Sequence, residues 1–84
     1  MNPIVALAAI LSTLHEMKEG PESSFYLPFM GSLHVDTFQQ LMGVLVKMGL
    51  AKIDAHYVTF TTPAPGSKGA ELLAAVLAAE KKAA

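Results

Sequence analysis

The sequence lacks cysteine, tryptophan and arginine, and it carries few charges of either sign. Because none of its 84 residues is a cysteine, disulfides and thiolate metal sites are excluded. All six basic residues are lysines, and the formal net charge is −1. Without a guanidinium group for bidentate contact with guanine or phosphate, a strongly cationic nucleic-acid binder is excluded. A chain without cysteine fits the reducing cytoplasm, which is the location we predict.

A long apolar run is also missing. The longest one extends from Pro3 to Leu11, well short of the ~18 residues that span a bilayer. No positively charged segment precedes it, so the pattern does not predict a signal peptide. We therefore expect no membrane partner.

What the chain has in excess is apolar residues. They make up 52% of the sequence, against 15% charged residues, whereas ordinary soluble domains carry about 25% charged residues. A small domain has proportionally more surface to cover, so it should be more polar than average. We infer that part of the surface is covered by a partner, most simply a second copy of the chain.

The first helix is predicted to begin at Asn2 and Pro3, a good N-cap followed by a residue that needs no N–H donor. It should extend to about Glu19, with Gly20 and Pro21 as its left-handed cap and stop. Its first half, PIVALAAIL, is apolar on all sides. A helix without a polar face is buried all round, so we expect this end to form an interface.

The segment from 22 to 33 predicts one short or irregular turn. Ser23 or Ser24 could cap a short helix, which Pro28 would interrupt and Gly31 would end. The following helix is expected to start at Asp36, with Gln39 completing a capping-box pattern.

That helix has a clear end and a clear inner face. Gly49 is predicted as the residue after its C-cap, with Leu50 folding back on Leu45 in a Schellman motif. Its inward stripe consists of Phe38, Leu41, Met42 and Leu45. With this stripe fixed, at least one of Val44, Val46 and Met48 must point outward, which favours protein contact over DNA contact.

A β-hairpin and a last helix complete the pattern. A two-residue loop at Ala55 and His56 would place Ile53 opposite Val58. Because Ala-His is a poor type I′ turn, a longer loop stays open as an alternative. Ser67 should cap the last helix, whose apolar stripe is followed by Lys81 and Lys82 at its end; the stripe comprises Leu72, Leu73, Val76 and Leu77.

From about Glu22 to Leu73 the chain resembles a winged helix-turn-helix domain of the MarR-like kind. The residues that carry the resemblance are the helix QQLMGVLVKMGL, the wing AKIDAHYVTFTT and the return GSKGAELL. The resemblance implies an α+β fold, a small winged helix with three to four helices and a two-stranded β-hairpin wing, in one domain over residues 1–84. It also implies a homodimer that pairs through its first and last helices, here 1–20 and 67–82. The expected dimer interface consists of Ile4, Val5, Ala8, Leu11, Leu73, Val76 and Leu77.

The resemblance is weaker where the family contacts DNA. Members carry arginine or lysine on the third helix and the wing, whereas this wing has one cation, Lys52, and ends in Asp54 and His56. Glutamine can read adenine through two hydrogen bonds, but two solvated glutamines are the simpler interpretation here. The residues to which DNA contact can be assigned are Thr37, Gln39, Gln40, Lys47, Lys52 and Lys68.

No pattern predicts catalysis or a metal site. Ser32, His34 and Asp36 alternate along one segment, whereas a catalytic triad converges from separate elements. The three histidines have no metal-ligand spacing. We therefore predict a non-enzymatic, homodimeric protein-interaction module without a cofactor, with a MarR-like DNA-binding transcriptional regulator as the alternative. The partners expected are the chain itself and, as open alternatives, another protein or DNA.

Overall fold

The computed structural model describes residues 2–83, and the side chains of residues 2–80. Within this range the chain forms four α-helices and one three-stranded antiparallel sheet. The elements in chain order are α1 (Pro3–Met17), β1 (Glu19–Pro21), α2 (Glu22–Tyr26), a 3₁₀ turn (Leu27–Phe29), α3 (Val35–Lys47), β2 (Ala51–Asp54), β3 (Tyr57–Phe60) and α4 (Lys68–Ala83). The strand order in the sheet is β1-β3-β2. The predicted α+β fold class is confirmed, and the arrangement is winged-helix-like.

Helix α1 begins as its sequence predicts. The Asn2 side chain accepts a hydrogen bond from the Ile4 N–H at 2.8 Å, and Pro3 is the first helical residue. Within the described residues, no helix has the length and apolar character needed to cross a bilayer.

The end of α1 differs from the prediction. The helix stops at Met17, and its C-cap is Lys18 with φ 71°, not Gly20. The reason lies in the sheet: the Lys18 carbonyl accepts a hydrogen bond from the Phe60 N–H at 2.6 Å. The chain must leave the helix here so that Gly20 can pair with Val58. Gly20 is therefore a strand residue, and the sheet has three strands where the sequence predicted two.

The short helical segment that follows exists, but neither serine caps it. Helix α2 has Pro21 at its N-cap without a side-chain hydrogen bond. Pro28 lies in the first turn of the 3₁₀ segment, where its missing N–H is tolerated. Gly31 follows with φ 87°. The Tyr26 hydroxyl donates to the Leu33 carbonyl at 2.6 Å and ties α2 to the loop before α3.

Helix α3 starts one residue before the predicted cap. Its N-cap is His34, whose Nδ1 accepts from the Asp36 N–H at 3.2 Å. Asp36 is instead a residue of the first turn, where its negative charge complements the helix dipole.

The C-terminal end of α3 confirms the predicted Schellman motif. Gly49 has φ 78°, and its N–H donates to the Val46 carbonyl at 3.1 Å. The Leu50 N–H donates to the Leu45 carbonyl at 2.9 Å, and both leucine side chains are fully buried. These two bonds satisfy carbonyl groups that the helix leaves free.

The wing has the predicted register. Ile53 pairs with Val58 across a two-residue loop, so the longer loop considered above is wrong. Ala55 and His56 both have positive φ, 49° and 64°, as a type I′ turn requires. The pairing of the two strands therefore outweighs the poor intrinsic preference of Ala-His for this turn.

Helix α4 starts as predicted, with the Ser67 hydroxyl oxygen accepting from the Ala70 N–H at 3.2 Å. The side chains of Lys81 and Lys82 lie outside the described residues. One apolar core joins all the helices and the sheet. Its largest fully buried side chains are Ile10, Leu11, Leu14, Phe25, Phe38, Met42, Leu45, Leu50 and Val58.

Candidate interaction surfaces

The first turn of α1 exposes large apolar side chains. Ile4 is 78% exposed and Val5 is 57% exposed, while Ala6 in the same turn is fully buried. Ala8, one turn after Ile4, is partly buried. The helix thus packs one face on the core and presents branched aliphatic side chains to solvent at its start.

The other predicted interface residues divide into two groups. Leu11 is fully buried and Val76 is 7% exposed, so both belong to the core of a single chain and offer almost no surface for pairing. Leu73 and Leu77 of α4 are partly buried. The Ser12 hydroxyl donates to the Glu80 carboxylate, which places the later part of α4 beside the middle of α1.

The residues assigned to DNA contact lie on three parts of the chain. Gln39 and Gln40 are exposed on α3, and Thr37 is partly buried there. All three lysines are exposed: Lys47 in the last turn of α3, Lys52 in β2 and Lys68 at the start of α4.

Apolar side chains interrupt the outer surface of α3. Val35, Val44 and Val46 are 41%, 40% and 39% exposed, which confirms that at least one of Val44, Val46 and Met48 points outward. A phosphate group packed against an exposed valine loses water without gaining a hydrogen bond. The surface of α3 is therefore mixed polar and apolar, with one acidic residue, Asp36, in its first turn.

The single cation of the wing shares its sheet face with a carboxylate. Lys52 pairs with Thr59, and Thr59 pairs on its other side with Glu19. Paired residues point to the same face, and neighbouring strands lie ~4.8 Å apart. The backbones of Lys52 and Glu19 are therefore roughly 10 Å apart across the sheet. The carboxylate therefore offsets part of the positive potential that Lys52 creates.

A cleft of about 330 Å³ opens between the wing turn and the starts of α2 and α3. Its lining includes Glu22 and Tyr26 from α2, Phe38 and Gln39 from α3, and His56 from the turn. The Glu22 N–H donates to the His56 carbonyl at 2.8 Å, which joins the wing turn to α2. Sequence reasoning missed this cleft because strand β1, which brings α2 against the wing, has no recognisable pattern.

The histidines are separated in the structure. His15 lies edge-on to the Phe60 ring with centroids 5.4 Å apart, His34 caps α3, and His56 lies in the wing turn. Among the described residues, no three histidine or acidic side chains come together as metal ligands would. Ser32, His34 and Asp36 follow one another along the loop and the start of α3, where the His34 ring accepts a backbone N–H.

Comparison with known proteins finds no matching family model, curated protein or solved structure.

Proposed function

We propose that the chain is a non-enzymatic protein-interaction module of the cytoplasm that forms a homodimer through α1 and α4. The observation that supports this proposal most directly is the exposure of Ile4 and Val5 on the first turn of an apolar helix. Both residues lie at the start of a helix whose other side is already packed on the core. A two-fold axis beside this turn would bring the same patch of a second copy against it.

The energy available from such a contact is substantial for a small domain. Full burial of a valine or isoleucine side chain contributes roughly 1.5–3 kcal/mol, and a two-fold contact uses each residue twice. Leu73 and Leu77 add partly exposed apolar surface on α4. The low proportion of charged residues, 15%, agrees with a surface that is partly covered.

The substitution Val5→Asp tests the pairing. Val5 is the third residue of α1, and the first turn has no acidic residue. Because a carboxylate at this position interacts favourably with the helix dipole, the change should not destabilise the helix of a monomer. In a dimer it would bury one unpaired charge from each copy at about 3 kcal/mol each, together about 6 kcal/mol or on the order of ten-thousandfold in dissociation constant.

The measurement is the molar mass by sedimentation equilibrium over a range of protein concentrations. Val44→Asp is the matched control, since Val44 is 40% exposed on α3, a helix that is not part of the proposed α1–α4 interface. We expect a dimer for the wild type and Val44→Asp, and a monomer for Val5→Asp with unchanged helical circular dichroism. A monomeric wild type, or a Val5→Asp dimer as stable as the wild type, would refute the assignment.

The alternative function is sequence-specific DNA binding by a MarR-like transcriptional regulator. It is favoured by one observation: Gln39 and Gln40 are exposed in the first half of α3, the helix that precedes the wing. A bidentate contact from glutamine to adenine provides roughly 1–3 kcal/mol of discrimination. On this alternative, replacing both glutamines by alanine removes sequence preference and leaves stability nearly unchanged.

Fluorescence anisotropy with random duplex DNA at low salt distinguishes the two functions. Most DNA affinity comes from phosphate contacts, so a binder shows saturable, salt-sensitive binding. Such binding would favour the regulator and justify operator selection, followed by the double glutamine variant. The absence of binding at high protein concentration would exclude DNA as the partner and leave protein contact.

A further inference from the structure

The cleft between the wing turn and α2 contains a carboxylate that is mostly buried. The Glu22 side chain is 18% exposed, and its Oε2 lies 3.7 Å from Nδ1 of His56. His56 is 96% exposed, and the pair is ionic only while the imidazole carries a proton. No lysine is among the described residues that line the cleft. When His56 is neutral, the negative charge of Glu22 therefore has no counter-ion in the cleft.

An aromatic ring lines the same cleft as this carboxylate. Tyr26 is partly exposed there, and Phe38, which is 1% exposed, packs behind it with the ring centroids 5.0 Å apart. The Tyr26 ring is held in place because its hydroxyl donates to the Leu33 carbonyl at 2.6 Å. Aromatic faces attract cations through their quadrupole, and more strongly where water is partly excluded.

The size and composition of the cleft suit a small molecule. Its volume of about 330 Å³ lies at the lower end of the range for ligand pockets, ~300–1,000 Å³. Val35 adds an aliphatic wall, and Gln39 adds an amide that can donate or accept a hydrogen bond.

We propose that this cleft binds a small organic cation, an ammonium group attached to a compact apolar body. The Glu22 carboxylate serves as its counter-ion, and the Tyr26 ring contacts the ammonium group and the apolar body. Because the lining includes His56 of the wing turn and Gln39 of α3, a bound cation would connect the wing to the start of α3. This site is separate from the proposed pairing surface on α1 and does not depend on it.

Three probes that share a phenyl body but differ in charge test the proposal: phenethylammonium, 2-phenylethanol and 3-phenylpropionate. Binding is followed by amide chemical shifts in ¹H–¹⁵N NMR spectra of the full chain. We expect shift changes confined to residues around Glu22, Val35 and His56. The cation should bind about tenfold more tightly than the alcohol, as expected for cation–π and charge-assisted contacts, and the carboxylate should bind most weakly.

Variants identify the group responsible. Glu22→Gln keeps the size of the side chain and should weaken the cation to the level of the alcohol, with alcohol binding unchanged. Glu16→Gln is the matched control, because Glu16 is an exposed carboxylate on α1. Val35→Trp should fill the cleft and weaken the cation and the alcohol alike, and it provides an independent test if Glu22→Gln does not fold.

The proposal is overturned by any of three results. The first is equal binding of the cation and the alcohol to the wild type. The second is cation binding that stays as tight as in the wild type after Glu22→Gln or Val35→Trp. The third is the absence of shift changes at the cleft at millimolar concentrations of the cation.

Discussion

The contact between the start of α4 and the end of α3 leads to a specific prediction about one glycine. Gly69 is the second residue of α4 and is buried. A Cβ atom built on Gly69 would overlap the carbonyl oxygen of Met48 and lie 3.2 Å from both its carbonyl carbon and the Cβ of Pro63. Met48 is the C-cap of α3, so its obstructing carbonyl group belongs to a backbone that cannot rotate away.

A second glycine provides a matched control. Gly43 lies within α3, and a Cβ built there meets no atom within 4 Å. Alanine in a helix interior is favoured over glycine by about 1 kcal/mol, so Gly43→Ala should be stabilising by about that amount. Gly69→Ala gains the same intrinsic preference, but the overlap with Met48 costs roughly 3 kcal/mol, the upper end for overpacking. The net loss for Gly69→Ala is then about 2 kcal/mol.

Thermal unfolding followed by circular dichroism measures both effects. For a domain of this size 1 kcal/mol corresponds to about 4–8 °C in melting temperature. We expect Gly43→Ala to melt about 4–8 °C above the wild type and Gly69→Ala roughly 8–16 °C below it. Protein concentration must be the same in all samples, since pairing would make the melting temperature depend on it. If Gly69→Ala is as stable as the wild type or more stable, then α4 does not approach Met48 this closely, and the predicted overlap is refuted.

Two further predictions concern stability. Tyr26→Phe removes the hydroxyl that donates to the Leu33 carbonyl. The unfolding free energy measured by urea titration should fall by about 1 kcal/mol. An unchanged midpoint would mean that water replaces this hydrogen bond at no cost. Gly49→Ala places a Cβ on a residue with φ 78°. This substitution should lower the unfolding free energy by about 1–2 kcal/mol with no change in m-value. A urea midpoint equal to that of the wild type would contradict the Schellman geometry.

Local signals predicted much of the fold. The end of α3 followed from Gly49 and Leu50, because a left-handed glycine and a returning leucine satisfy carbonyl groups within the same few residues. The wing followed from the pairing of Ile53 with Val58, because the alternation of apolar residues fixes the register. In both cases the interactions that decide the structure lie within a short stretch of sequence.

Strand β1 was missed because it is specified by distant residues. It has three residues, and Gly20 is the only buried one, so no alternating pattern marks it. Its pairing partners, such as Val58 opposite Gly20, are almost forty positions away. Because of this pairing, α1 ends at Met17, and its C-cap Lys18 has a positive φ. The Nζ atom of Lys18 lies 4.9 Å from the centroid of the Phe60 ring. Predicting the cleft would have required β1 first, because β1 determines where α2 meets the wing.

A winged-helix-like fold does not by itself determine whether the partner is DNA or protein. The exposed side chains determine it. A phosphate-tracking surface needs several cations in a common field, whereas Lys52 shares its sheet face with Glu19. Val44 is an exposed apolar residue on α3. A phosphate packed against it loses water without compensation, whereas burial of Val44 against another protein is favourable. Both effects shift the balance toward protein contact. The salt dependence of any DNA binding measures that balance directly, since its slope counts the phosphates that the lysines neutralise.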